Sequence, residues 1–260
     1  MASTFNTTAP PAAWRAGVLL IAAGLVNGQG TQPLGQFSNL VDRIKLSYNS
    51  VNKTDLDRAE KNIEWPRQYL GKTWKAILLT RGREYKQPVV IDGGRARFAT
   101  IPWRCDTGTV YQLDNAAYCP AENAISYDGF FLAGLSKKIA QQTHSPGDFA
   151  AIVAVAHECG HALQHQLGIT ATFDFTNEQN ADCFAGATAR QMRLDGVLHA
   201  GDLEEAKAVL TLLADPRRAG PFENNAHGDW VQRTGAFNMG YGTGPEGCAP
   251  TLKSPRTPFR

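Results

Sequence analysis

Apolar residues crowd together between Ala16 and Val26, then recur mostly at helical spacing, and only twice cluster or alternate as strands do. The early run is eleven residues long, follows Arg15 and ends at Asn27-Gly28-Gln29-Gly30. A transmembrane helix needs roughly 20 apolar residues, whereas a run of this length suits the core of a secretory signal. Residues 1–30 therefore predict a signal peptide or, if uncleaved, an N-terminal anchor, with Gly28 as the small residue at a cleavage site. Residues 31–53 are polar, with few periodic apolar positions, and predict a linker.

Across 55–80, Ile63, Leu70, Trp74 and Leu78 repeat at helical spacing. Pro66 and Gly71 interrupt the run, so two short helices or one kinked helix are expected. Pro88 to Asp92 is a short strand-like run before Gly93-Gly94. A polar, turn-rich stretch from Cys105 to Cys119 follows, and Asn123 to Asp128 then alternates like a half-buried strand. Helices are expected near 130–142, 147–167, 176–194 and 202–214. The second of these opens with Ser145 as its cap and Pro146 at its first position, and closes at Gly168. Its first half is apolar almost all round, which predicts burial. After His227 the pattern gives way to a glycine-rich turn leading to Cys248, and residues 251–260 predict a disordered tail. The chain thus divides into a leader, a linker, one domain over 54–250 and a tail. Its fold class is α+β: mainly helical, with a small β-sheet beside the 147–167 helix.

Composition narrows the function. Only 19% of residues are charged and the formal net charge is +2, so there is no electrostatic case for nucleic acid as a partner. A membrane is expected as a partner only if the N-terminal segment stays attached. The leader makes the destination an exported one: secreted, periplasmic or cell-surface. Five cysteines leave at least one unpaired within the chain. None forms a CxxC pair, so a zinc site has to be built from histidine and carboxylate.

Those residues stand at His157-Glu158-Cys159-Gly160-His161. On a helix, positions i and i+4 share a face one turn apart, so both imidazoles can reach one Zn²⁺ per chain. Glu158 lies about 100° round the helix from His157. That places its carboxylate beside the metal, where it can take a proton from water whose pKa the metal lowers towards ~7. Cys159, about 200° round from His157, points away from the metal. A catalytic zinc needs a third protein ligand. Glu178-Gln-Asn-Ala-Asp182 supplies Glu178 for that role, with Asp182 one turn on to accept the second N–H of a zinc-bound imidazole. Asp182 as ligand is the alternative, and His165 is a weaker one. The metzincin spacing HExxHxxGxxH is absent, because Gln164 stands where its glycine belongs.

HExxH followed by ExxAD is the pattern of gluzincins such as neprilysin. Taken together, Tyr118 to Asp128 (YCPAENAISYD), His157 to Gln164 (HECGHALQ), Gln179 to Gly186 (QNADCFAG), Gly201 to Ala206 (GDLEEA), His227 to Arg233 (HGDWVQR) and the late Cys248 resemble the neutral zinc metallopeptidase family of bacteria over about 55–250. The resemblance implies a zincin-like metallopeptidase fold, metal positions at His157, His161 and Glu178, and Glu158 as the catalytic glutamate. The chain departs from it at Cys159, where a small or aliphatic residue is common, and at Asp229, where Thr or Ser is. By analogy with neprilysin-type enzymes, His227 is the candidate to stabilise the oxyanion, with Tyr127 and Tyr241 as other donors. Arg233 either binds a substrate carbonyl or braces Asp182.

Peptides in such sites lie along an edge strand. Asn123, Ala124 and Tyr127 are the candidate segment, unless it is an internal strand already paired on both sides. Cys105–Cys119 and Cys183–Cys248 are the expected disulfides, with Cys159 free; Cys159–Cys183 is the rival pair. The function expected is zinc-dependent hydrolysis of peptide bonds in a peptide or protein substrate. The rivals are a non-hydrolytic zinc-binding scaffold and a zinc amidase acting on another amide, such as a cell-wall crosslink.

Overall fold

The computed structural model describes residues 50–92, 104–105, 108–109 and 115–253. The 1–30 leader, nearly all of the 31–53 linker and residues 254–260 lie outside them. Helix α1 (Lys53–Leu79) starts on a capping box. Asn52 Oδ1 accepts the Asp55 N–H, and Asp55 accepts the Asn52 N–H, both at 3.0 Å. The helix is one element of 27 residues rather than two pieces. Pro66 belongs to its buried stripe with Ile63, Leu70, Trp74 and Leu78, and packing of that stripe outweighs the hydrogen bond the proline ring removes.

Strand β1 (Val89–Asp92) is followed by the small hairpin of β2 (Arg104–Cys105) and β3 (Gly108–Thr109), then by β4 (Ala116–Cys119) and β5 (Ala124–Tyr127). The larger sheet has the order β1-β5-β4. β5 runs parallel to β1, Val89 opposite Ala124, and antiparallel to β4, Ala117 opposite Ser126. All four β5 residues are buried, so the expected half-buried alternation is not found. The central position also corrects the assignment of Asn123, Ala124 and Tyr127 as the peptide-binding edge, because the β5 backbone is already paired on both sides. Among the described strands, the edges of this sheet are β1 and β4.

Helices α2 (Gly129–Thr143), α3 (Asp148–Leu167), α4 (Asp174–Leu194), α5 (Asp202–Leu212), α6 (Trp230–Thr243) and α7 (Pro245–Cys248) complete the domain, and a 3₁₀ turn (Pro250–Leu252) ends the described chain. α3 is the hub, touching α1, α2, α4, α5 and β4. Its N-terminus is not capped by Ser145. Glu205 of α5, fully buried, instead accepts the Gly147 N–H at 2.7 Å, the Phe149 N–H at 2.8 Å and the Ser145 hydroxyl at 2.6 Å. A carboxylate there also opposes the positive end of the helix dipole.

The expected glycine-rich turn after Arg233 is the helix α6, opened by a second capping box between Asp229 and Gln232. One glycine from each helix makes its crossing with α4 close: a Cβ on Gly240 of α6 would overlap the Cys183 carbonyl, and one on Gly186 of α4 the Phe237 carbonyl. Leu252, expected in the disordered tail, is 1% exposed. Disulfides Cys105–Cys119 and Cys183–Cys248 tie the hairpin to β4 and α4 to α7, and Cys159 is free and buried. No described helix is long and apolar enough to cross a membrane.

Candidate metal centre

The two motifs meet because α3 and α4 cross with almost no side chain between them. A Cβ on Gly160 would lie 2.8 Å from the Ala181 Cα and carbonyl oxygen, closer than side chains allow. The glycine of HECGH and the alanine of EQNAD are therefore the crossing point, and the polar residues one turn to either side are brought face to face. His157 Nε2 lies 3.1 Å from Glu178 Oε2, His161 Nε2 lies 3.3 Å from Glu178 Oε1, and the two Nε2 atoms are 3.2 Å apart. Tetrahedral zinc with ligands at 2.0–2.2 Å separates its donor atoms by about 3.4 Å, so the spacing fits that ion.

Hydrogen-bond polarity supports the same fit. His157 Nδ1 lies 2.8 Å from Asp182 Oδ1, and His161 Nδ1 lies 3.1 Å from Gln164 Oε1. Both neighbours are acceptors, so each Nδ1 carries the proton and each Nε2 presents a lone pair. With both imidazoles neutral, three lone-pair donors thus converge with no hydrogen between them, and the buried Glu178 Oε2 has no hydrogen-bond partner. A cation satisfies all three. Burial pushes the His157 pKa down, but Asp182 and Glu178 outweigh it and raise it to about 10, so without a metal ion a proton on Nε2 supplies the positive charge that these carboxylates favour. Glu178 is buried, yet the three histidines around it, His227 first, hold its carboxyl well below the usual range.

Asp182 is fully buried and orients His157. Arg233 in turn holds Asp182, its Nε donating to Oδ2 and its Nη2 to Oδ1, both at 2.8 Å, while Nη1 donates to the Leu213 carbonyl at 3.0 Å. The sequence left Arg233 two roles, binding a substrate carbonyl or bracing Asp182. At 4% exposure, with Nε, Nη1 and Nη2 each donating inward, it braces Asp182, and it also forms part of the cleft lining. Glu158 is 8% exposed. Its burial raises its pKa against the opposing pull of His161 and His157, and the Tyr118 backbone N–H bonds to its carboxylate.

A cleft of about 370 Å³ opens over this group. One wall is β4 and the residue before it, Asn115 to Tyr118. Thr170, Ala171 and Thr172 of the α3–α4 loop lie along it, and Phe131, Val153, Val209 and Leu213 make an apolar end. His227 enters from the loop before α6, with Nε2 3.9 Å from Glu178 Oε2 and Nδ1 3.6 Å from Asp215 Oδ1. Asp215 fixes that loop by accepting the His227 N–H at 2.6 Å and the Gly228 N–H at 2.9 Å. Burial lowers the His227 pKa, but Glu178 and Asp215 outweigh it and raise it.

Tyr127 is buried in the core and Tyr241 packs against Arg193; neither lines the cleft. His165 bonds to the Tyr118 hydroxyl at 3.2 Å and is not among the converging donors. Sequence reasoning missed Gln164 and Asp215. Gln164 had a usable signal, since it is three residues past His161 on the same helix; Asp215 had none.

A family profile described as "Putative neutral zinc metallopeptidase" matches residues 14–251. Among curated proteins, the chain is 32% identical over 200 residues to Uncharacterized protein YpfJ of Escherichia coli (strain K12), covering 68% of this chain and 66% of that protein. It is 30% identical over 164 residues to Uncharacterized protein Rv2575 of Mycobacterium tuberculosis, covering 53% of this chain and 55% of that protein. The chain spans just under two thirds of the first relative's length and about half of the second's. No solved structure matches it. The profile match covers nearly the whole chain, including both helices of the metal centre, and the chain belongs to the neutral zinc metallopeptidase family.

Proposed function

We propose that this chain is an exported zinc metalloendopeptidase of the HExxH type. The observation that carries the proposal is the convergence of three lone-pair donors, His157, His161 and Glu178, with the buried carboxylate of Glu158 in the same cleft. Zinc bound there supplies Lewis-acid activation of the water nucleophile and of the substrate carbonyl.

The remaining chemistry belongs to the chain. Asp128 donates to the Asn115 carbonyl at 2.8 Å, so the antiparallel alternation turns Asn115, Ala117 and Cys119 towards β5. Ala116 and Tyr118 face the edge that no described strand pairs with. Glu158 takes the Tyr118 N–H, which leaves the N–H and carbonyl of Ala116 for an extended peptide. Glu158 removes a proton from water as it attacks the scissile carbonyl, then delivers that proton to the departing nitrogen as the C–N bond breaks. His227, favoured in its protonated form by Glu178 and Asp215, donates to the carbonyl oxygen as negative charge develops there. The two disulfides support the exported destination, since such bonds persist in oxidising compartments.

The test compares the full chain with its Glu158→Gln variant for zinc content and for cleavage of a mixed peptide library. One zinc in each protein, and cleavage by the wild type alone, is the expected result. One zinc and no cleavage by either sinks the peptidase assignment and leaves the zinc-binding scaffold. A wild type that holds no zinc removes the metal centre itself.

A further inference from the structure

We infer that Gln164 is a positioning residue of the metal centre, the end of a relay that runs from the Cys248 carbonyl to His161 and fixes which nitrogen of His161 faces the metal. The inference rests on the metal site described above.

The relay can be assigned one polarity at a time. The Cys248 carbonyl only accepts, and Asn180 Nδ2 donates to it at 2.8 Å. That sets the Asn180 side-chain oxygen on the other side, where Gln164 Nε2 reaches it at 3.1 Å. The second Nε2 hydrogen goes to the Asn177 carbonyl at 2.5 Å. Both Gln164 hydrogens are now spent on oxygens, so its Oε1 must face His161 Nδ1, at 3.1 Å. An imidazole opposite a carbonyl-type oxygen keeps its proton on that nitrogen, and the Nε2 lone pair of His161 is left for the metal.

The side chain at 164 has to accept from an imidazole and donate to two oxygens at once. An amide does both. A carboxylate would face the Asn177 and Asn180 oxygens with no proton to offer, and an apolar side chain would take these partners from His161 Nδ1 and the Asn180 oxygen in a site where Gln164 is 2% exposed. The two histidines are thus held differently. His157 leans on the charged Asp182, while His161 leans on a neutral amide anchored at the turn that the Cys183–Cys248 disulfide secures. Asn177 and Asn180 flank Glu178 on α4, so the same relay locks His161 of α3 against the helix that carries the third ligand.

Zinc affinity of the full-length, metal-stripped protein, measured by competition with a chelator, tests this. Cobalt(II) substitution, with its visible absorption, reports ligand geometry. Gln164→Leu is expected to bind zinc 10–100-fold more weakly and to shift the cobalt bands. Asn180→Ala, which leaves Gln164 anchored at Asn177 alone, is expected to lose less, several-fold. A folded Gln164→Leu protein with wild-type zinc affinity and a wild-type cobalt spectrum overturns the inference while leaving the metal centre standing. Should Gln164→Leu fail to fold, Asn180→Ala decides, and wild-type affinity there overturns it equally. A wild type that binds no zinc overturns the metal centre and the relay together.

Discussion

Replacing Asp182 separates two roles that one carboxylate performs. Asp182 is fully buried, receives two Arg233 bonds and one His157 contact, each at 2.8 Å, and Arg233 is itself 4% exposed. Breaking a buried pair strands the other charge and costs about 3–5 kcal/mol. Asp182→Asn keeps the shape and loses the charge, so the metal-free protein is expected to lose about 3 kcal/mol of unfolding free energy in a denaturant titration. Zinc affinity is expected to fall as well, by up to about 10–100-fold, since the anionic acceptor of His157 becomes a neutral amide oxygen. The double variant Asp182→Leu/Arg233→Met removes both charges, and buried pairs exchanged for apolar residues are often near neutral. It should therefore regain most of the lost stability, a clear departure from additivity, while zinc affinity stays low. Arg233 beside Asp182, with His157, overcomes the burial penalty and lowers the Asp182 pKa. A lowered folded-state pKa means this stability is full above the unfolded value of about 3.9 and fades only as pH falls through the folded one. Wild type and Asp182→Asn should therefore differ at neutral pH and converge in acid. Asp182→Asn within about 0.5 kcal/mol of wild type, well under the expected cost, or recovery of zinc affinity in the double variant, would refute this account.

Gly160→Ala places a methyl 2.8 Å from the Ala181 backbone. The overpacking cost of about 1–3 kcal/mol should exceed the ~1 kcal/mol gain in helix propensity, and separating α3 from α4 should weaken zinc binding in a chelator titration. Glu205→Ala removes three hydrogen bonds at the start of α3. It should cost roughly 3 kcal/mol, seen as a thermal midpoint lowered by about 6–12 °C, with zinc affinity at 25 °C nearly unchanged. The Cys183–Cys248 bridge spans 65 residues; replacing both cysteines with serine should cost about 4 kcal/mol in the chain-entropy model, measured by denaturant unfolding.

The candidate metal-binding group was legible because its arrangement is local. His157 with His161, and Glu178 with Asp182, are each one helical turn apart, and the period of the helix alone puts each pair on one face. Where information crosses between elements, the sequence was weaker. Nothing in Asn123 to Asp128 says whether the strand is central or at an edge, because burial on both faces depends on α3 and on partners far along the chain. Ser145 and Pro146 carry every local mark of a helix start, yet a carboxylate from α5 takes the cap. Pro66, Gly186 and Gly240 look like breaks when propensity is judged locally. All three lie in helices whose buried faces repay the local cost, Gly186 and Gly240 by allowing backbones to touch. Gln164 and Asp215 escaped for a similar reason: each acts on a histidine through hydrogen bonds whose far ends lie on other elements.

The contact of Gly160 with Ala181 sets a rule for how this protein can vary. An insertion inside α3 or α4 rotates everything beyond it by about 100° per residue and pulls the ligands off their common face. The connection between those helices carries no such constraint. Thr170, Ala171 and Thr172 lie in it and line the cleft, but none of them holds a ligand. Loop length and composition there can drift, lengthen or be engineered while the crossing keeps the metal geometry unchanged. On the function proposed above, substrate preference and metal binding are therefore separable traits, written into neighbouring parts of one helix pair.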